Sequence, residues 1–175
     1  MGGLHGEKFE ELYSLFRKAE AAMKVVEEWE GDLIVPSINQ LRYAGGHLLN
    51  FLSQDESVQN EEDLKKVKRH IQRAIFDSYD AGLSGILQYL NEFHKIFGAL
   101  PELRKQIPEY DSFMDQADDA HDLIDKAVEK YDSRQEFYEE CKPHWEKLRN
   151  IYRRLKRVTP TLDEIRRQRD SEQTT

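Results

Sequence analysis

The amino-acid sequence predicts an all-α fold, in the form of an elongated antiparallel helical bundle with long coiled-coil-like helices. Composition is the first reason: helix-forming residues dominate, and 175 residues contain nine Gly and five Pro, so intrinsic propensity favours helix nearly everywhere. The second reason is that 34% of the residues are charged and 38% are hydrophobic, which indicates a thin core under a large solvated surface. The third is a seven-residue repeat from Tyr110 to Leu155.

The seven-residue repeat is typical of a long helix that buries one stripe. Its phase does not change across Ser133 or Pro143, so we expect one helix that bends at these residues without reversing and ends at Val158–Pro160. Unbroken, this helix would be roughly 70 Å long. All of its a and d positions except one arginine are apolar or aromatic. They are Tyr110, Phe113, Ala117, Ala120, Ile124, Ala127, Tyr131, Arg134, Tyr138, Cys141, Trp145, Leu148, Tyr152 and Leu155.

Three further helices and one short helical turn are predicted before the repeat. Gly31 should end the first helix, and Asp32 should cap the second. Asn60, followed by three acidic residues, should begin the third, because acidic side chains interact favourably with the positive end of the helix dipole. The predicted bounds are residues 7–30, 33–52, 61–98 and 101–106.

Small residues in the second and third helices predict a close contact between them. Gly45 interrupts the apolar stripe of the second helix, and Ser78, Gly82 and Gly85 interrupt that of the third. Because a short loop joins the two helices, we expect them to cross at these glycines with their backbones in near contact.

We expect one bundle domain, residues 1–158, followed by a short basic helix and a disordered tail, residues 159–175. Thr161 and Glu164 form a capping box that would open the short helix. The tail from Asp170 to Thr175 is expected to be disordered.

Several functional classes lack their motifs. The sequence has no glycine-rich phosphate loop, dinucleotide fingerprint, HExxH, CxxC or nucleophile elbow, so we expect no cofactor and no metal. Asp118, His121, Asp122 and Asp125 share one helix face, which we interpret as a solvated acidic face. The single cysteine, Cys141, gives no indication of an oxidising compartment, and no apolar run approaches the roughly 20 residues of a membrane span. We therefore expect a cytoplasmic protein.

Arg42 and His47 form an R-x4-H pattern in the second helix, RYAGGH, and the stretch Arg69-His70-x-x-Arg73-Ala74 follows in the third. This combination resembles the HEPN superfamily of helical bundles over about residues 32–98. The resemblance implies a metal-independent ribonuclease, often assembled across a dimer. His47 would act as general base or acid, and Arg42 would stabilise the phosphorane.

The same residues also have a structural interpretation. Residues five apart on an α-helix lie about 140° apart, so Arg42 and His47 reach one phosphate only if the helix is distorted or a second subunit supplies the partner. In the alternative interpretation, His47 and His70 are half-buried residues satisfied by neighbours such as Tyr43 or Asp77.

Charge is distributed unevenly along the chain. The formal net charge is −8, yet residues 147–169 are strongly basic. We interpret this end either as a solvated helix terminus or as a surface for an anionic partner, which would be nucleic acid, an acidic protein or a membrane surface. The residues assigned to this anionic-partner surface are Arg153, Arg154, Lys156, Arg157, Arg166, Arg167 and Arg169.

Helix lengths predict self-association. The first two helices are too short to cover the whole repeat if the Gly31-Asp32 connection is a hairpin, so the distal part of the repeat would expose apolar side chains. We expect a two-fold homodimer through this segment. Its interface residues would be Trp145, Leu148, Tyr152 and Leu155.

Together these features favour a non-catalytic helical-bundle interaction or regulatory module that self-associates and binds another protein. The alternative is a HEPN-like metal-independent ribonuclease or an RNA-binding relative.

Overall fold

The computed structural model describes residues 4–55 and 59–173, and every regular element within these ranges is a helix. The all-α prediction is therefore confirmed. The elements in chain order are α1 (Leu4–Glu30), α2 (Val35–Leu52), α3 (Glu61–Phe97), α4 (Pro101–Gln106), α5 (Tyr110–Glu129), a 3₁₀ helix (Tyr131–Phe137) and α6 (Tyr138–Gln173).

The ends of the first helices follow local sequence signals. Gly31 has φ +79°, a left-handed conformation that side chains disfavour, and it ends α1 as predicted. Asn60 accepts a hydrogen bond from the backbone N–H of Glu62 at 3.0 Å and so caps α3. The predicted cap at Asp32 is wrong, because α2 begins at Val35 and no side chain caps its first turn.

The chain folds as two compact units. Unit 1 contains the residues up to Gly82 together with Lys126–Lys142, and unit 2 contains Leu83–Asp125 and the residues from Pro143 onward. Helices α3, α5 and α6 each contribute residues to both units.

In unit 1, α2 packs antiparallel to the first part of α3. The hydroxyls of Ser37 and Ser78 lie 2.9 Å apart near one end of the pair, and Asn50 donates to Asp63 at 2.8 Å near the other. Helix α1 lies alongside both. The buried apolar residues between these helices include Leu12, Leu15, Ala19, Ala22, Val26, Phe51, Val67, Ile71 and Ile75.

The predicted crossing at glycines is wrong. The antiparallel pairing places Gly45 opposite His70, which is about three turns before Gly82. A Cβ atom added at Gly45 would meet nothing within 4 Å, so no neighbouring backbone approaches there. The side chains that join α2 and α3 closely are instead Ser37 and Ser78, both fully buried.

The prediction of one bent helix through the seven-residue repeat is also wrong. In unit 2, Arg154 and Glu109 form an ion pair at 3.1 Å, whereas a continuous helix would hold them roughly 70 Å apart. The chain therefore reverses between them. In unit 1, Arg73 donates from Nη2 to the carbonyl oxygens of Tyr131 and Asp132, each at 3.1 Å. A side chain thus occupies acceptors that an α-helix would pair within its own backbone.

Helix α6 continues through Pro160 to Gln173, so the predicted helix end at Val158–Pro160 is wrong. Leu155 and Leu162 are both fully buried on either side of the proline. Packing of this stripe offsets the lost hydrogen bond, which costs about 3 kcal/mol in an exposed helix. The residues predicted to form a separate short basic helix belong to α6.

The tail prediction is wrong where it can be compared, because Asp170–Gln173 is helical. Thr174 and Thr175 lie outside the described residues. None of the helices in residues 4–55 and 59–173 combines the length and hydrophobicity needed to cross a bilayer.

Candidate functional site

Basic side chains converge on one cleft in unit 1, between α2, α3 and the 3₁₀ helix. Its volume is about 230 Å³. We name it the cationic cleft. The residues that line it are His47, Lys66, Arg69, His70, Arg73, Asp132 and Gln135.

Helix geometry explains why these side chains share one wall. Lys66, Arg69, His70 and Arg73 stand at i, i+3, i+4 and i+7 on α3, which places them on one face. The antiparallel pairing of α2 brings His47 to the same face. His47, Arg69, His70 and Arg73 were predicted as parts of one motif, whereas Lys66 was missed. The sequence spacing could have predicted that His47 meets this face. Two residues that stand at nearly equal distances before and after a short interhelical loop lie side by side in a helical hairpin.

His47 and His70 stack in the cleft. Their ring centroids are 5.3 Å apart and their planes are inclined by 13°. His70 Nδ1 lies 2.8 Å from Gln40 Oε1, so the neutral ring donates its Nδ1 proton to the amide oxygen. Burial lowers the pKa of His70 below its ordinary 6.5, and the neighbouring His47, Arg73 and Arg69 lower it further. His70 is therefore neutral at pH 7.

A buried carboxylate organises one edge of the cleft. Asp63 accepts hydrogen bonds from Asn50 at 2.8 Å and Gln54 at 3.4 Å. Its Oδ1 atom lies 3.8 Å from His47 Nδ1 and 3.5 Å from Lys66 Nζ. Asp63 thus fixes the end of α2 against the start of α3 and places His47 beside Lys66.

Arg73 is held in a fixed orientation at the opposite edge. Besides its two bonds to backbone carbonyls, it donates from Nε to Gln135 Oε1 at 3.3 Å. Within the described residues, no acceptor is bonded to its Nη1 atom. Its guanidinium group is therefore positioned by the 3₁₀ helix and retains two N–H donors for a ligand.

A buried ion pair supports the 3₁₀ helix from behind. Arg134 lies 3.1 Å from Asp77, and their side chains are 15% and 3% exposed. The guanidinium also lies 4.4 Å from the centroid of the Tyr131 ring. Burial raises the pKa of Asp77, with Arg134 opposing that shift. The pair joins α3 to the segment that carries Asp132.

The structure separates the two residues of the R-x4-H pattern. His47 lines the cationic cleft, whereas Arg42 is exposed, lies 5.3 Å over the Tyr43 ring and does not line the cleft. His70 contacts the Tyr43 ring at 5.6 Å, as the structural interpretation expected for a tyrosine neighbour. The hydrogen-bond partner of His70 is Gln40.

The basic C-terminal end lies in unit 2, where acidic and aromatic side chains contact much of it. Arg153, Arg157 and Arg167 are exposed, and no described residue forms an ion pair with them. The other four cations have contacts within unit 2. Arg154 pairs with Glu109 at 3.1 Å, Arg166 with Asp163 at 3.8 Å and Arg169 with Glu102 at 2.8 Å, and Lys156 lies 5.0 Å over the Tyr89 ring.

The side chains assigned to a dimer interface are covered within the chain. Trp145, Leu148 and Leu155 are buried, and Tyr152 is half-buried with its ring 4.7 Å from Tyr89. The prediction that this stripe is exposed is therefore wrong. The physical reason is the chain reversal, which lets other helices of unit 2 pack on it.

The other side chains that could ligate a metal ion do not cluster in the structure. His121 and Asp125 are exposed and pair with each other at 3.0 Å. Burial raises the pKa of Cys141 to about 12, and its thiol donates to the carbonyl of Phe137. Across residues 4–55 and 59–173, no group of three or more His, Cys, Asp and Glu side chains could hold a metal ion.

No protein-family model matches the chain, and no curated protein or solved structure is detectably similar to it.

Proposed function

We propose that this chain is a non-catalytic helical interaction module, and that its cationic cleft binds a phosphate group carried by the partner. One observation carries the proposal. Three cationic side chains, Lys66, Arg69 and Arg73, converge with two imidazoles on a cleft that is lined by Asp132 and has the Asp63 carboxylate at its edge. Such a cleft concentrates positive potential and favours an anion.

The chemistry of the cleft suits a tetrahedral oxyanion. Arg73 presents the two N–H groups of its Nη1 atom from a fixed position, so the guanidinium can donate hydrogen bonds to phosphate oxygens as an oriented cation. Arg69 and Lys66 have acidic neighbours, Glu62 at 3.4 Å and Asp63 at 3.5 Å. The Arg69–Glu62 pair is exposed on both sides and contributes little, so a phosphate dianion can replace Glu62 as the partner of Arg69, while Lys66 stays beside the buried Asp63.

The volume of the cleft favours a group at the end of a larger partner. At about 230 Å³, it lies below the roughly 300–1,000 Å³ typical of sites for whole small molecules. A phosphate and its nearest attached atoms fit this space. The rest of the partner would then lie on the surface of unit 1.

The experiment measures binding of a fluorescein-labelled single-stranded RNA by anisotropy at several salt concentrations. Lys66→Gln with Arg69→Gln should weaken binding and reduce the slope of log Kd against log salt by about 1.4, because two cations are lost and each contributes about 0.7 on a single strand. Arg153→Gln with Arg157→Gln is the matched control and should bind as the wild type does. If the control variant loses binding and the cleft variant keeps it, the basic end is the binding surface and the proposal is wrong.

A HEPN-like ribonuclease is the second candidate, and the stacked histidines favour it. Two imidazoles in one cationic cleft could act as general base and general acid on a phosphodiester. The arginines that line this cleft are Arg69 and Arg73, so Arg42 would not stabilise the phosphorane within one chain. RNA cleavage in EDTA that is lost on His47→Ala and on His70→Ala, but kept on Arg42→Ala, would establish this enzyme. Binding without cleavage would support the non-catalytic module.

A further inference from the structure

An apolar groove opens to solvent between α1 and α2 on unit 1. Its volume is about 360 Å³, and no charged or hydrogen-bonding side chain other than the Tyr13 phenol lines it. Leu41, Ala44 and Leu48 form one wall. The complete lining is Phe9, Leu12, Tyr13, Phe16, Leu41, Ala44, Gly45, Leu48, Val67 and Ile71.

Hollow and protruding features lie side by side on this face. Gly45 forms the hollow, because a Cβ atom there would meet nothing within 4 Å. Tyr13 and Leu49 protrude beside it, with exposed fractions of 67% and 69%. Ile38 and Leu52, on the same outer row of α2, are also exposed.

These residues expose more apolar area than scattered surface side chains do. Together they expose on the order of 500 Å², near the upper end of the largest patch on a typical monomer. The groove walls themselves expose little surface, so the protruding side chains supply most of the apolar area that a partner could cover.

We propose that this groove binds the same groove of a second copy of the chain in a two-fold dimer. An isologous interface requires that one patch carry both the knobs and the holes that complement them. The groove meets this condition, since Leu49 of each copy can enter the hollow over Gly45 of the other. The inference does not rest on the function proposed for the cationic cleft.

Charges at the rim of the groove agree with this arrangement. Glu10 stands on α1 one turn before Tyr13, and Arg42 stands on α2 one turn before Gly45. Both are exposed, and neither forms an ion pair with a described residue. Two-fold packing that crosses α1 of one copy over α2 of the other brings Glu10 to Arg42 of the second protomer.

The test is the mass of the full chain by light scattering at micromolar concentrations. The wild type should have the mass of a dimer, and Leu49→Glu or Tyr13→Glu should have that of a monomer, because each places a charge in the apolar contact. Val128→Glu is the control, since Val128 is an exposed apolar residue of unit 1 outside the groove, and it should remain dimeric. A monomeric wild type, or a Leu49→Glu variant that remains dimeric, would overturn the proposal.

Two further variants separate dimerisation from folding. Gly45→Ala places a Cβ atom in the hollow without a clash in the chain, so it should weaken the dimer while the far-ultraviolet circular dichroism stays that of the wild type. Glu10→Arg should weaken the dimer several-fold, and adding Arg42→Glu should restore it. Failure of the charge reversal to restore the dimer would contradict the two-fold pairing of α1 with α2.

Discussion

The imidazole rings of His47 and His70 lie with centroids 5.3 Å apart and planes inclined by 13°, and they join α2 to α3 at the cationic cleft. Protonation of His70 adds a positive charge next to His47, Arg69 and Arg73. The empty cleft therefore favours a neutral His70 ring. A bound anion reverses this preference, because opposite charge stabilises the protonated form.

Acidification should destabilise the fold through His70. Its pKa is lowered below 6.5 in the folded chain, so between the two pKa values the unfolded chain binds more protons than the folded chain. Its contribution to the free energy of unfolding is thus present above pH 6.5 and is lost as pH falls through the folded pKa. Urea unfolding at pH 7.5 and 5.5 measures the loss, and His70→Gln should show a smaller one. An equal loss in both proteins would contradict the lowered pKa.

The buried pair of Arg134 and Asp77 should be costly to break from one side. Arg134→Met leaves the carboxylate of Asp77 buried without its partner, and such changes destabilise by about 3–5 kcal/mol. Adding Asp77→Asn should recover part of this loss, because residue 77 then carries no charge. Lys65→Met, which breaks an exposed pair with Glu62, is the control and should cost under about 1 kcal/mol. Equal effects of the two single variants in urea unfolding would place the Arg134 pair at the surface.

The chain reversal predicts a short distance between residues 109 and 154. Spin labels on Glu109→Cys and Arg154→Cys should lie near contact, whereas a continuous helix would separate them by roughly 70 Å. Cys141 should escape labelling, since its thiol is buried with a pKa of about 12. Labels at Asp111 and Asp125 within α5 provide a control at roughly 21 Å. If the labels at residues 109 and 154 lay farther apart than the control labels at residues 111 and 125, the chain reversal would be contradicted and a single helix supported.

Local signals in the sequence were enough to predict most helix boundaries. Gly31, Asn60 and Pro101 act on their own backbone, so α1, α3 and α4 end or begin within a few residues of the predicted positions. The wrong predictions concern places where contacts with residues distant in sequence determine the path of the chain. The apolar repeat could not indicate that Arg73 would donate hydrogen bonds to the carbonyl oxygens of Tyr131 and Asp132. The same periodic pattern of apolar residues is found whether the helix continues or the chain folds back.

The sequence could predict which residues of α3 share one face of the cationic cleft, but not the register that places them against His47 of α2. The spacing of Lys66, Arg69, His70 and Arg73 already places them on one helix face. Their meeting with His47 depends on the register of α2 against α3, which is set by buried contacts such as Ser37 with Ser78. The basic end of α6 was predicted to be a binding surface from its charge density alone, although Arg154 and Arg169 form ion pairs with residues that are distant in sequence.

The proposal of an anion site in the cationic cleft is tested most directly by NMR of the histidine ring signals during a sulfate titration. Sulfate stands for the phosphate dianion and keeps its charge at all relevant pH values, and sodium chloride of equal ionic strength is the reference. We expect the His47 and His70 signals to shift with saturation, the pKa of His70 to rise in sulfate, and the exposed His121 of α5 not to respond. Equal responses of His70 and His121, or an unchanged pKa of His70, would contradict the account.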